Sequence, residues 1–594
     1  MGPEWQAFAG PPLRLPRRAP STELLLIALG LALLSWGPIG WAGLPGHTHD
    51  GFQHLAWGAA WIRQLQGGWL WPQWSDLSWA GAGSAVFQFY PPLFRLLGTP
   101  LGLLGWAPVA TVQASLLLVM LINATGAWAL ARDWLPHRGG RWGGAWRLLL
   151  VTAVVLNPYF LINLYVRGAW PEALGQALLT WLALGLARLP RRPRSGIVLT
   201  AVALGALVLS NWNTALLALV AWGLAMVLLA AGRQWRPLVG WGLGLGLALG
   251  ATAPFWWPAL SQLGLIRPPV PAGLYPEEFF FAPAGDRPTY FADLLWVQGL
   301  VILLLLGVRL VGWGTGGWRP NRNAPVAPLA SWGLLLALAT VVMVLPISAP
   351  IYGWITPLQR LQFPWRWLSL GWLGALLWLC SPAALGLPWL ARSGWRRGLW
   401  VLGALLALVL SVDSLNRFRT NLLTDHLTPA QGERLNTLLR CPPLDPCPAG
   451  LAALREGSNE VQPFIALGDG RIAITGMRDY SPAGIPDTAW QAREVIFWQP
   501  RWPQTAWAHF EGDGRVSLRE RRPQRITLTV DAAGAGRLRV MQWAYPAWRV
   551  QTRRQGDVLW SPPLTDGGRD NEGWISVPLR SGPWEVALTY GQSR

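Results

Sequence analysis

A chain of 594 residues that is 52% hydrophobic but only 13% charged, with a mean hydropathy of +0.29, carries too little polar surface for a soluble fold and reads as a polytopic membrane protein. Its formal charge of +19 comes from arginines in short clusters between apolar segments, which is the pattern of membrane topology and excludes nucleic acid as the expected partner. Lysine is absent, so a Walker-type phosphate loop and Schiff-base chemistry are excluded as well.

Arg14, Arg17 and Arg18 precede an apolar run over 22–41, read as a retained first helix with its N-terminus in the cytoplasm. Further apolar runs cover 108–131, 148–166, 173–189, 197–211, 213–231, 238–258, 291–309, 328–346, 363–385 and 398–415. Together they predict about eleven transmembrane helices, each near the length needed to cross a ~30 Å hydrocarbon core. The apolar piece from Pro91 to Gly105 is set apart as a short re-entrant or interfacial helix. With it omitted, the clusters around Arg132 to Arg147, Arg188 to Arg194, Arg233 and Arg236, Arg309 to Arg322, and Arg392 to Arg397 all fall on the cytoplasmic face.

The opposite face receives the first outer loop, 42–107, and the loops around Arg167, Asn211, 259–290 and Arg360. These hold nearly all the polar residues with a chemical use. The transmembrane domain is expected over 1–416, followed by a connector over 417–459 and a C-terminal extracytoplasmic β-sandwich over 460–594. Strand-like alternation in that last region runs over Arg471–Met477, Glu494–Trp498, Arg515–Leu518, Arg525–Val530, Arg537–Trp543, Trp574–Leu579 and Trp584–Tyr590. Cys380 sits in an apolar helix as packing, whereas Cys441 and Cys447 are spaced to close a small disulfide loop if their segment is extracytoplasmic.

The stretch His47-Thr48-His49-Asp50-Gly51-Phe52-Gln53-His54 opens the first outer loop. From Asp50 to Gln66, apolar residues at Phe52, Leu55, Ala59, Ile62 and Leu65 predict an amphipathic helix along the outer membrane surface. Asp50 then stands at the helix start, where an anion is favoured, and His54 lies one turn on. Capping the helix is the competing role for Asp50. His47, His49 and His54 offer a zinc-compatible spacing as an alternative, but no helical pair of histidines and no second acid accompany them, so no metal or other cofactor is expected.

Arg167 and Glu172 form either a loop-anchoring ion pair or part of a lipid-phosphate site, and Arg360 and Arg366 raise the same choice at another helix end. Outward arginines run against the charge bias of the chain, and an anionic head group explains them. Asn211 and Asn213 are candidates for hydrogen bonding sugar hydroxyls, with capping as the commoner role.

An ordered set of motifs joins the acid and histidine of the first outer loop. It comprises Phe89-Tyr90-Pro91-Pro92-Leu93, Tyr165-Val166-Arg167-Gly168-Ala169 with Glu172, Leu209-Ser210-Asn211, Gln362-Phe363-Pro364-Trp365-Arg366 and Ala544-Tyr545-Pro546-Ala547-Trp548-Arg549-Val550. This set resembles the bacterial membrane proteins labelled "6-pyruvoyl-tetrahydropterin synthase-related", which in turn resemble the GT-C glycosyltransferases, including the YfhO-like proteins. Pterin chemistry is not implied, since only His47-x-His49 echoes the soluble zinc enzyme.

The resemblance implies inverting transfer of a sugar from a polyprenyl-phosphate donor to an envelope glycan, lipid or protein acceptor at the outer face of the cytoplasmic membrane. Asp50 matches the position of the catalytic base, with His54, Arg167, Glu172, Asn211, Arg360 and Arg366 as substrate-binding residues. The chain departs from that family in having Asn211 and Trp212 where histidine is common, and it lacks an Asp-x-Asp motif, which favours a metal-independent reaction. The rival class is a non-catalytic polysaccharide transporter, flippase or envelope-assembly scaffold. Transport predicts ionisable residues near mid-membrane, whereas here they cluster at helix ends.

Overall fold

In the computed structural model, the described residues are 20–440 and 508–591, less 47, 77, 79–82, 136–139, 267–277, 281–291, 314–326, 386–393, 425 and 565–567, together with 464–466, 472–474 and 483. Helix α1 (Pro20–Trp41) leads into the first long loop, which contains α2 (Gly51–Gln66), the single turn α3 (Val86–Phe89) and α4 (Leu93–Leu103). A helical series follows: α5 (Pro108–Trp134), α6 (Gly140–Val155), α7 (Pro158–Tyr165), α8 (Trp170–Arg188), α9 (Pro193–Ser210), α10 (Trp212–Ala231) and α11 (Trp235–Ser261). The bundle is completed by α12 (Ala292–Trp313), α13 (Ala327–Met343), the short α14 (Ala349–Trp354) and α15 (Thr356–Gln359), α16 (Leu368–Leu385), α17 (Gly394–Thr424) and α18 (Pro429–Arg440).

Seven of these segments are long and apolar enough to cross a membrane, or eight if the pair Leu329–Met343 and Pro346–Trp354, bent by 94°, is one broken span. This corrects the expected eleven among the described residues. The tryptophan, proline and glutamate that open α8, together with Gln176, dilute its apolar character; the described apolar part of α12 covers only Leu294–Gly307; and α16 is not among the seven. The apolar piece from Pro91 contains α4, an 11-residue helix too short to cross. Cys380 is fully buried in α16, as expected of packing, while Cys441 and Cys447 lie outside the described residues.

Close helix crossings depend on glycine. Where α13 meets α16, a Cβ on Gly374 would fall 2.6 Å from the Gly333 carbonyl oxygen, and one on Gly333 would fall 2.8 Å from that of Gly374. Such small-residue contacts let membrane helices approach backbone to backbone. Gly374→Val is therefore expected to force α16 outward and destabilise the bundle by about 1–3 kcal/mol, read as a lowered midpoint of thermal unfolding in detergent.

The C-terminal domain is antiparallel. Strands β1 (Phe464–Ala466) and β2 (Ile472–Ile474) pair only with each other. The remaining seven strands are β3 (Ala508–Glu511), β4 (Gly514–Arg522), β5 (Arg525–Ala532), β6 (Gly536–Trp543), β7 (Trp548–Arg554), β8 (Trp574–Leu579) and β9 (Gly582–Tyr590). They form two sheets, ordered β3-β6-β8 and β4-β5-β9-β7. Alternation in β5 buries Ile526, Leu528, Val530 and Ala532, as period-2 patterning requires of a half-buried strand. The expected strand at Glu494–Trp498 lies outside the described residues, whereas β1, β3 and β7 are strands not anticipated. The expected connector from 417 is partly the end of α17, which runs on to Thr424, and α18 folds back so that Asn436 Oδ1 accepts from the Val109 backbone nitrogen at 2.9 Å.

The β domain is joined to the first long loop. Trp74, fully buried, meets Tyr545, Trp548 and Tyr590 at ring-centroid distances of 5.7, 5.8 and 5.2 Å. Beside it, Gln64 donates to the Trp74 carbonyl at 2.9 Å and accepts from Gln524 Nε2 at 2.9 Å. Tyr545 OH donates to Gln88 Oε1 at 3.4 Å. Helix α2 also packs on α4, α5 and α18. Its residues from Phe52 to Trp57 and from Ala59 to Trp61 are buried, so it is enclosed by protein and not the surface helix expected from its apolar stripe.

Candidate functional site

Two loops are pressed together at the start of α2. The Asp50 backbone nitrogen donates to the Arg167 carbonyl at 2.9 Å. Gly168, at φ +64°, has no room for a side chain, since a Cβ there would fall 2.4 Å from the Gly51 nitrogen. Asp50 occupies the N-cap position but makes no capping bond; Thr48 Oγ1 accepts from the Gly51 nitrogen at 3.1 Å in its place. The capping role is thus taken by a neighbour, and the Asp50 carboxyl is available for other work.

Asp50 is half-buried, and desolvation raises its pKa above the ordinary 3.8, opposed by the nearby charges of Arg167, His49 and Arg366. The histidine next to it is His49, which is exposed but whose pKa is lowered by partial desolvation, against the opposing pull of Asp50. His54 is placed differently. Its ring is packed among Trp57, Tyr90, Phe94 and Trp170, with centroids 5.6, 5.6, 6.1 and 6.0 Å away. Burial, reinforced by Arg95, lowers its pKa from 6.5 to about 3, so it is a neutral packing residue at physiological pH. His47 lies outside the described residues, and among those described no three His, Cys, Asp or Glu side chains are grouped to hold a metal.

Arg167, whose carbonyl holds the Asp50 backbone, belongs to a buried ionic cluster. Glu172, in the first turn of α8, accepts from Arg167 Nη1 at 2.9 Å and from the Tyr159 hydroxyl, with Arg366 Nε 3.5 Å from the same carboxylate. Arg167 and Arg366 are 3% and 5% exposed, so two desolvated guanidinium groups share one directly paired carboxylate. The ion-pair role considered for Arg167 and Glu172 is present. Burial of such charges is tolerated only with direct pairing and hydrogen bonds.

The remaining contacts position the cations. Arg167 Nη1 also donates to Asn163 Oδ1 at 2.5 Å and lies 3.2 Å from the Tyr159 hydroxyl, while the guanidinium sits 4.9 Å from the centre of the Trp365 ring. All these polar contacts fall on Nη1, leaving Nη2 and Nε without a partner among the described residues. Arg366 Nη1 donates to the Leu361 carbonyl at 2.9 Å. With the Asn213 amide turned so that its nitrogen meets the Arg360 carbonyl at 2.9 Å, its oxygen accepts from Arg366. The turn that presents this segment puts Gln362 at φ +63°, a left-handed conformation strained for a residue with a side chain.

Two expected contributors stand apart. The Asn211 side-chain oxygen caps α10, accepting from the backbone nitrogens of Asn213 and Thr214, each at 3.0 Å. Arg360 is exposed and enters the cluster through its carbonyl alone. Tyr159, Asn163 and Trp365 were not anticipated. Asn163 stands four residues before Arg167, a spacing that flags a local pair, but Tyr159 and Trp365 carry no signal that separates them from packing aromatics.

No family model matches the chain, and no curated protein does. Among solved structures it is similar to the arabinofuranosyltransferase AftD from Mycobacteria, at 20% identity over 68% of this chain and 27% of that one, with a TM-score of 0.38. Another AftD structure from Mycobacteria matches at 14% identity over 96% of this chain and 60% of that one, with a TM-score of 0.39. The archaeal oligosaccharyltransferase AglB from Archaeoglobus fulgidus, in complex with an inhibitory peptide and a dolichol-phosphate, matches at 14% identity over 67% and 56%, with a TM-score of 0.37. This chain spans between 27% and 60% of the length of those proteins, and likenesses of this size carry no weight in assigning an activity. The protein is a polytopic helical membrane protein with a two-sheet antiparallel domain joined to its first long loop.

Proposed function

We propose that the chain is an integral membrane glycosyltransferase that moves a sugar from a polyprenyl-phosphate donor to an envelope glycan, lipid or protein acceptor, at the outer face of the cytoplasmic membrane. The observation that carries this reading is a half-buried carboxyl, Asp50, tied through its backbone to Arg167, one of two buried arginines that share a single glutamate. Arg167 and Arg366 hold the donor phosphate, whose charge the open edge of Arg167 and the forked geometry of guanidinium suit. Asp50 removes the proton from the acceptor hydroxyl as that oxygen attacks the anomeric carbon. Bond breaking to the phosphate needs no separate acid once both arginines stabilise the leaving group. His49 is the better placed assistant to Asp50, and His54 holds the aromatic wall behind α2. The motif resemblance supports the donor class.

The test is an assay of the purified full-length protein with radiolabelled polyprenyl-phosphate sugar and extracted envelope lipids and glycans as acceptors. Absence of transfer across all donors and acceptors, with the protein folded, would count against the proposal. The pH profile is a second check. A base works only when ionised, so activity must fall as pH is lowered through the Asp50 pKa, and burial sets that pKa above 3.8. The acid limb of kcat/KM is expected above the range of an exposed aspartate; a limb within that range would exclude Asp50 as the titrating group.

A further inference from the structure

The ionic cluster has a neighbour that the proposed reaction leaves unused. Gln176 follows Glu172 by four residues on α8 and so shares its helix face, where a glutamine and a carboxylate one turn apart can hydrogen-bond. Gln176 is 6% exposed, and both its amide nitrogen and its amide oxygen lack a partner among the described residues. It borders a cavity of about 20 Å³ lined in part by Asn123, Asn157, Thr180 and Ser369.

Two of those lining residues are tied to the groups that hold Glu172. Asn157 caps the helix carrying Tyr159, accepting from the Tyr159 backbone nitrogen at 3.0 Å, and Ser369 Oγ donates to the Arg366 carbonyl at 2.7 Å. The cavity, lined about equally by polar and apolar side chains, therefore adjoins the glutamate's present partners. Space and hydrogen-bond donors stand together where buried polar groups normally find a partner.

An anion arriving at Arg167 and Arg366 meets a carboxylate already there. Two like charges cannot both occupy the same pair of guanidinium groups without repulsion, and a displaced glutamate left in an apolar bundle without a partner would cancel much of the gain. We propose that Gln176 receives Glu172 when a phosphate takes its place: the carboxylate turns one helical turn along α8, accepts from the Gln176 amide and borders the cavity, while Arg167 and Arg366 close on the phosphate. Glu172 is then the resident counter-ion that keeps the two arginines in place before the donor binds, and Gln176 is a positioning residue that lowers the free energy of its release. This rests on the reading that the two arginines take a phosphate.

The experiment compares two probes on full-length protein in lipid nanodiscs, a long-chain polyprenyl monophosphate and the uncharged polyprenol of the same length, titrated by tryptophan fluorescence. Gln176→Leu is expected to weaken the monophosphate about tenfold and to leave the polyprenol unchanged, while the thermal midpoint of the unliganded protein holds or rises because a buried unpaired amide has gone. Should Gln176→Leu not fold, Gln176→Met, unbranched and close in volume, serves in its place. Equal affinity of wild type and variant for the monophosphate overturns the proposal and leaves the arginine site standing. Equal weakening of both probes assigns Gln176 to packing and also overturns it. If the wild type does not distinguish monophosphate from polyprenol, the phosphate reading itself falls and takes this inference with it.

Discussion

On the proposed function, Asp50→Asn is expected to abolish sugar transfer while the protein folds and inserts as the wild type does. The substitution keeps the shape of the side chain and removes only its capacity to accept a proton. General-base catalysis contributes about 10²–10⁴-fold, so turnover should fall by at least that range. Fold is expected to survive because Asp50 contributes little to it through its carboxyl. Thr48 makes the capping contact, and the hydrogen bond that ties the two loops runs from the Asp50 backbone nitrogen to the Arg167 carbonyl. A neutral amide also relieves the burial that raises the carboxyl's pKa. Transfer of labelled sugar and thermal unfolding, measured on the same preparation, check both halves. Wild-type turnover in Asp50→Asn removes the residue from the mechanism.

Trp74→Ala has the largest expected effect on stability. The ring is fully buried between three aromatic residues of the β domain, and a Cβ on Gly83 would fall 2.2 Å from its indole nitrogen, so the site is close-packed on both sides. Truncating a buried tryptophan costs about 3–5 kcal/mol. Here the loss falls on the junction, since Gln64 and Gln524 meet beside it. Limited proteolysis should release the β domain from Trp74→Ala at protease concentrations that leave the wild type whole. Equal resistance of the two proteins would mean that the junction is held by other contacts.

Much of the site was legible because polar residues are scarce in this chain. Asp50, Arg167, Glu172 and Arg366 stand at helix ends in a sequence that is 13% charged; the structure joins the last three in one ionic cluster and ties Asp50 to Arg167 through the backbone. What periodicity cannot see is the partner of a helix. The apolar stripe of α2 predicted one buried face, but Trp57, Trp61 and Gln64 are buried too, because α4, α5 and the β domain cover the rest. Where the histidines of this stretch fall turned on loop geometry. His54, one turn along α2, is carried into an aromatic wall, while His49 stays beside the carboxyl. Among the described residues fewer than eleven segments pass as spans, in part because length and overall apolarity do not register polar residues near the start of a helix, as with Glu172 and Gln176 in α8. Strand β7 was hidden by Arg549, Arg553 and Arg554, whose long side chains sit on a strand directly after the Tyr545-Pro546 turn.

The bond between Gln64 and Gln524 joins positions 460 residues apart. A ribosome releases the first of them long before the second, and Trp74 cannot find its cover until Tyr590 has been made. The helix that begins beside Asp50 is therefore among the first to be synthesised and among the last to be enclosed. Contacts of such separation form slowly, and domains fold in order of emergence. During biogenesis Gln64 and Trp74 therefore wait for partners supplied by strands that are made hundreds of residues later.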